Sequence, residues 1–282
     1  MRALVTGSAG FIGRHMAAEL DRRGYTVFGV DVASRRDCLR EFAITHQWYA
    51  FFAAGGTGAP DPAEPYDLVV HAAAREPHRA AIDGQPDSLI YNQLLDAAMF
   101  DWAVCTRQRH VLYLSSCAAD DEKPDAYGLL KLTGERMAEQ ARAAGVPVTA
   151  VRPYSGYGED QDERFPFGAF IARARRRDDP FEIWGDGTQV RDWIHVDDVV
   201  GGALAAVEAD VTGPVSLCTG VGTSMLQLVA EICAQAGYTP WAQLRPDKPG
   251  GVAYRVGDPS RMLQFYTPTV DLAEGVKRAL AQ

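Results

Sequence analysis

Residues 2–31 read RALVTGSAGFIGRHMAAELDRRGYTVFGVD, and the fold is decided inside them. The run RALVT at 2–6 has the length and apolar content of a short buried strand. Gly7, Gly10 and Gly13 follow at once as GxxGxxG, enclosing Phe11 and Ile12. Ile12, Met16, Ala17 and Leu20 then recur at helical spacing, Gly24 closes that helix, and TVFGVD is a second strand ending on Asp31. In a strand–turn–helix–strand unit the first glycine permits the tight turn. The second admits a pyrophosphate to the backbone, and the third lets helix pack close to sheet. Free N–H groups at the helix start then hold the phosphates. Asp31, 18 residues beyond Gly13, can accept from both ribose hydroxyls and repels a 2′-phosphate. The expected cofactor is therefore NAD rather than its phosphorylated form. Arg35 and Arg36 lie close enough in sequence to soften that preference.

Further along, residues 66–74 (YDLVVHAAA) read as a strand and loop. Residues 87–104 read as a helix carrying Leu89, Leu94, Leu95, Ala98 and Trp102, 110–116 as a strand, 127–144 as a helix and 146–154 as a strand. Strands alternating with helices of this length predict a parallel sheet covered on both faces. Past Tyr154 the rhythm breaks into a Gly-rich acidic loop and the helix-like FGAFIARARRR. FEIWGDGTQVRDWIHVDD comes next, then a helix at 197–208, the strand PVSLCTG, a helix at 224–236 and a closing helix at 271–280. The expected fold class is α/β, a Rossmann-type doubly wound parallel sheet with a smaller C-terminal substrate-binding domain. The division is 1–153 for the NAD-binding domain and 154–282 mostly for substrate, with segments near 190–220 returning to the first. Residues 33–65 show no clean period.

Composition narrows the classes of function. A net charge of −9 over 282 residues opposes nucleic-acid binding. No run of 18 apolar residues is present, and no signal-peptide pattern opens the chain. The five cysteines are scattered, with no CxxC. Together these imply a cytoplasmic protein with no membrane partner and no metal site.

The chemistry-bearing pair is Tyr127 and Lys131 in AYGLLK, four residues apart on one helix face. A lysine ammonium beside a phenol favours the phenolate, which can take a proton from a sugar hydroxyl while hydride leaves the attached carbon. A solvated lysine over an aromatic ring has the same spacing. The position after the strand HVLYLSSC, whose end faces the nucleotide crevice of such a fold, favours the catalytic reading.

These segments resemble an extended short-chain dehydrogenase/reductase of the nucleotide-sugar epimerase/dehydratase family. The likeness runs through TGSAGFIG, GVD, HAAA, Asn92, LSS, Tyr127-x-x-x-Lys131, VRPYSGYG and WGDGTQVRDWIHVDD. It implies that Ala72, Ala73, Asn92, Ser115 and Pro153 belong with Gly7, Gly10, Phe11, Ile12, Gly13, Asp31, Tyr127 and Lys131 at the cofactor. It also implies that Gln189 and Arg191 of GDGTQVRD, with Lys248 of KPGG, serve the nucleotide diphosphate. Trp184 would flank the base, and His78 and Ser155 the sugar. Where family members carry a Ser or Thr, Cys117 stands here, so Ser116 is the candidate to supply the missing hydroxyl and Cys117 a further catalytic candidate. Ala118 and Ala119 replace the acids of the 4,6-dehydratase branch, and Asp120, Asp121 and Glu122 are shifted from that position. His71 is expected to make a structural hydrogen bond.

The reading is NAD-dependent epimerisation of a nucleotide-diphosphate sugar at C4, through a 4-keto intermediate. A 4-keto-sugar reductase or dehydrogenase, a dehydratase and a non-catalytic dinucleotide sensor stand as alternatives. By resemblance the chain forms a homodimer through the helices at 89–104 and 127–144.

Overall fold

The computed structural model describes residues 1–31, 42–43, 64–74 and 86–282. His78, Arg35, Arg36 and all of 33–65 except 42–43 and 64–65 lie outside the described residues. In chain order the strands are β1 (Arg2–Thr6), β2 (Thr26–Asp31), β3 (Phe42–Ala43), β4 (Leu68–His71), β5 (Val111–Leu114), β6 (Val148–Pro153), β7 (Ser155–Tyr157), β8 (Phe181–Trp184), β9 (Val190–His195), β10 (Val215–Leu217), β11 (Gly222–Ser224), β12 (Ala242–Arg245) and β13 (Tyr254–Arg255). The helices are α1 (Phe11–Arg22), α2 (Pro86–Cys105), α3 (Ala126–Ala143), α4 (Pro166–Arg176), α5 (Val196–Glu208), α6 (Met225–Gln235) and α7 (Leu272–Ala281), and Cys117–Asp120 form a 3₁₀ turn.

A seven-stranded sheet runs in the order β10-β6-β5-β4-β1-β2-β3. Its pairs from β3 to β6 are parallel. The strand order reverses between β1 and β4, the kind of switch point at which α/β sheets bind ligands beyond their strand ends. This is the Rossmann-type sheet expected from the alternating pattern, because strands buried on both faces read as continuous apolar runs.

The chain divides into two compact units. Among the described residues, one comprises the chain up to Ala74, Pro86–Arg152 and Ala203–Val215, and the other Pro153–Gly202 and Ser216–Gln282. The core of the first gathers Leu4, Phe28, Val69, Met99, Trp102, Val111 and Tyr113. In the second unit β9 pairs with β7 and β13 in parallel and with β11 antiparallel, while β8 pairs with β12. Its core is built from Tyr157, Phe167, Phe181, Ile183, Leu228, Ile232 and Val276.

Two apolar side chains lie off the buried faces of their helices. On α1 the buried residues are Gly13, Met16, Ala17 and Leu20. Ile12 is only half-buried, because it sits in the helix's first turn beside the glycine loop. On α2 Leu95, Ala98 and Trp102 are buried, whereas Leu94 is 60% exposed. Leu94 and Leu95 are neighbours in an apolar run, and of the two only Leu95 faces the core. Among the described residues no helix is long and apolar enough to cross a membrane.

Candidate functional site

The glycine loop lies at the switch point. Gly7 has a φ of +72°, a backbone shape that glycine takes without penalty, and a Cβ there would stand 2.7 Å from the backbone of Ala72 and Ala73. The ends of β1 and β4 therefore meet with only backbone between them. A Cβ on Gly13 would stand 2.0 Å from the Gly7 carbonyl oxygen, so the first turn of α1 rests directly on the loop. Gly10 is the N-cap of α1 and makes no side-chain capping bond, so no side chain of the cap covers the N–H groups of the helix start. Asp31 braces the loop, its Oδ2 accepting from the Ala9 N–H at 2.9 Å. A carboxylate has lone pairs for further donors, so the brace leaves room for ribose hydroxyls. The Ser8 hydroxyl oxygen is buried in the loop without a hydrogen-bond partner in the protein. A close-packed turn, an uncapped helix start, a carboxylate at the second strand's end and an orphan hydroxyl fit a dinucleotide.

The second part of this unit's site lies beyond β5. Asp125 caps α3 by accepting from the Gly128 N–H at 2.9 Å, which fixes where the helix starts and hence which way Tyr127 and Lys131 face. Lys131 is buried, 4% exposed, and its ammonium donates to the Leu114 carbonyl at 2.8 Å. That nitrogen lies 6.0 Å from the Tyr127 ring centroid and 5.1 Å from the Tyr113 ring centroid. Tyr127 itself is half-buried. The helical spacing thus brings phenol and ammonium together at the end of β5.

The neighbouring candidates are held in different ways. Ser115 donates to Glu135 Oε1 at 2.5 Å. Ser116 caps the 3₁₀ turn, its oxygen accepting from the Ala118 N–H at 3.2 Å, and its own proton can go elsewhere. Cys117 is buried and lies outside any disulfide. Asp120 is ion-paired with Arg152. Ala73 and Asn92 are buried in the same unit.

In the second unit a pocket of about 140 Å³ opens beside Trp184, walled by Phe170, Met225, Pro249, Arg164 and Arg173. Trp184 is 47% exposed, its indole N–H donates to Glu182 at 2.8 Å, and the Lys248 ammonium lies 5.8 Å from its ring centroid. Gln189 is buried with its Oε1 unpartnered, and its amide nitrogen occupies the space that a Cβ on Gly185 or Gly250 would fill. Both carboxylates that follow Arg191 are engaged by other groups. Asp192 accepts from the backbone of Thr219 and Gly220 at 2.8 Å. Asp197 lies 3.4 Å from Arg278 and from His195. Ser155 opens β7 and is half-buried.

The sequence profile of the NAD dependent epimerase/dehydratase family matches residues 3–217. The chain belongs to this family. A dTDP-4-dehydro-6-deoxy-D-allose reductase from Streptomyces is 28% identical over 291 residues, 92% of this chain and 88% of its own. A UDP-glucose 4-epimerase from Mycolicibacterium smegmatis is 26% identical over 306 residues, 99% of this chain and 97% of its own. Among solved structures, MoeE5 in complex with UDP-glucuronic acid and NAD has a TM-score of 0.85 at 26% identity, covering 100% of this chain and 98% of that one.

This epimerase/dehydratase family member also carries charged groups that the sequence reading did not single out. Arg152 grips Glu135 with two bonds, at 2.8 and 2.7 Å, behind Ser115. Asp96 of α2 accepts from the Tyr113 hydroxyl at 2.6 Å and lies 3.1 Å from His71 Nε2. Burial pushes the Asp96 carboxyl up, but the His71 hydrogen bond and the Lys131 charge outweigh it and hold the group below the usual range. Tyr113 is pushed up by burial and by Asp96. His71 makes the structural hydrogen bonds expected of it. Glu135 was findable, because it lies four residues after Lys131 on the same helix face. Asp96 and Arg152 are lone charges inside apolar runs, and such a charge implies a buried partner without naming it.

Proposed function

We propose that this chain epimerises a nucleotide-diphosphate sugar at C4, using bound NAD and Tyr127 as the proton-transferring group. The observation that carries this reading is the buried Lys131 ammonium, anchored on the Leu114 carbonyl and 6.0 Å from the Tyr127 ring. A cation fixed beside a phenol favours the phenolate, the form that accepts a proton from a hydroxyl near neutral pH. Tyr127 takes the C4 hydroxyl proton and returns it after the 4-keto sugar has turned. Ser116 hydrogen-bonds the reacting oxygen, and the buried Cys117 thiol is a neighbour of that site rather than its nucleophile.

The groups assigned to NAD are the backbone of Gly7, Gly10, Phe11, Ile12 and Gly13 for the pyrophosphate and Asp31 for the adenosine ribose. Ala72, Ala73, Asn92, Ser115 and Pro153 line the remainder, with Lys131 on the nicotinamide ribose. Bound NAD supplies reversible hydride acceptance, which is why one turnover leaves no net oxidation. In the second unit Trp184 and its pocket suit a stacked base, and Gln189, Arg191 and Lys248 suit the diphosphate. Ser155, with His78 outside the described residues, is assigned to the sugar.

Asp120 is already engaged by Arg152, which weighs against its serving a dehydratase. The relative named as a reductase keeps one-way hydride transfer as the second reading. Ile90, Leu94 and Leu129, exposed on α2 and α3, suit a homodimer, which light scattering on the purified protein would test. Cys105, Cys117, Cys218 and Cys233, each outside any disulfide, suit a cytoplasmic location.

The test is native mass spectrometry for co-purified dinucleotide and sugar nucleotide, followed by turnover of the sugar nucleotide found. Conversion to its C4 epimer with no net NADH formed or consumed supports the proposal. A ketose or deoxy sugar released after one hydride transfer points to the reductase. Bound dinucleotide with no turnover across a broad panel of sugar nucleotides points to a sensor.

A further inference from the structure

The face of α2 that packs toward β4 and β5 carries a buried charge that the proposed reaction does not use. Asp96 is 1% exposed, and both its carboxylate oxygens are engaged, one with His71 Nε2 at 3.1 Å and one with the Tyr113 hydroxyl at 2.6 Å. Behind His71, the Thr6 hydroxyl lies 2.8 Å from Nδ1 and accepts from the Ala73 N–H at 3.3 Å. The desolvation of such a carboxylate is opposed by its hydrogen bonds and by nearby positive charge together.

A second desolvated charge shares the same tyrosine. Tyr113 gives its hydroxyl to Asp96, and its ring centroid lies 5.1 Å from the Lys131 ammonium. Lys131 is itself 4% exposed, so burial opposes its charged form. The other charges facing this cluster are two carboxylates and one guanidinium. Glu135, one turn along α3, is matched by the two-bond grip of Arg152 from β6, and Arg152 also holds Asp120 of the 3₁₀ turn. Tyr127 of α3 and His71 of β4 are the remaining titratable neighbours. Gly134 of α3 keeps the cluster open, since a Cβ there would stand 1.9 Å from the Tyr113 hydroxyl and 2.8 Å from Asp96 Oδ2.

We propose that Asp96 is the buried counter-charge of Lys131, a positioning residue that holds the lysine as an ammonium throughout the working pH range. The inference rests on the reading of Tyr127 and Lys131 given above. It makes His71 and Tyr113 the brackets that keep Asp96 ionised and in place.

The experiment needs no sugar substrate. The purified protein is trace-labelled with acetic anhydride across a pH series, and Lys131 acetylation is quantified by mass spectrometry against Lys277, exposed on α7. Only the neutral amine reacts, so the midpoint of the labelling curve reports loss of the ammonium, whereas accessibility changes only its height. Wild-type Lys131 should show a midpoint within about half a pH unit of Lys277 or above it, despite its burial. A lower wild-type midpoint overturns the proposal. Asp96→Asn should move the Lys131 midpoint down by about one pH unit. Tyr113→Phe removes a hydrogen bond of the same cluster but no charge, and should move it by less than half as much. An unmoved midpoint in Asp96→Asn, or an equal shift in Tyr113→Phe, overturns the proposal. If Tyr127→Phe spares sugar turnover, the catalytic reading fails while the labelling result stands. If Tyr127→Phe abolishes turnover and the midpoint stays put, the counter-charge role alone fails.

Discussion

The glycine loop and the surroundings of Lys131 lie in one unit of the molecule and are built by opposite means. The loop is seven residues of backbone, shaped by what its glycines lack, and a carboxylate from the next strand braces it. The lysine site is made of side chains from β1, β4, β5, β6, α2 and α3, with carboxylates set against an ammonium and a guanidinium. Gly7 and Gly13 leave no room for a Cβ, and the lysine site is built on paired charge. A dinucleotide pyrophosphate needs close backbone N–H groups, whereas proton transfer needs a tuned field, so the chain uses sterics for one and paired charge for the other.

The largest effect expected is on the charge-built side. Tyr127→Phe should lower kcat on the identified sugar nucleotide by about a thousandfold while the loop still binds dinucleotide, a split that steady-state kinetics and calorimetry would show. Unchanged kcat would remove the catalytic half of the contrast. Gly13→Ala attacks the steric side, because its Cβ would meet the Gly7 carbonyl at 2.0 Å. NAD affinity measured by calorimetry should fall by about a hundredfold, worth about 2.7 kcal/mol. Gly134→Ala forces an added atom into the charge cluster and should cost about 2 kcal/mol in urea unfolding.

Acid separates the two regions more finely. The Asp96 carboxyl lies lower in the folded chain than its unfolded value of about 3.9, so its stabilisation is present above that pH and lost as pH falls below it. The stability gap between wild type and Asp96→Asn, from urea curves, should therefore hold steady above about pH 5 and narrow as pH falls below about 4. A gap independent of pH would show that packing and not charge separates the two proteins. The smallest effect is expected at Ser8, whose buried hydroxyl has no protein partner. Ser8→Ala should leave stability within about 0.5 kcal/mol of wild type or raise it slightly.

The same contrast explains what could be read in advance. The β1–loop–α1–β2 unit was legible because its information is local, with glycines at fixed spacing and apolar residues at helical period. Tyr127 and Lys131 were legible because a helix places residues four apart on one face. Ser115 is assigned to the cofactor by resemblance, and only the packing shows that its hydroxyl also meets Glu135. Asp120 looked like a displaced acid until β6 supplied Arg152 as its partner.

By itself the sequence determined the order of strands and helices, the glycine cradle and the phenol–lysine pair, each set by spacing along the backbone. Only the tertiary structure decided which charges meet. Asp96, His71, Tyr113 and Lys131 come from four separate elements, and the energy of a buried charge depends on partners brought close by the packing of sheet against helix. No local pattern encodes that distance.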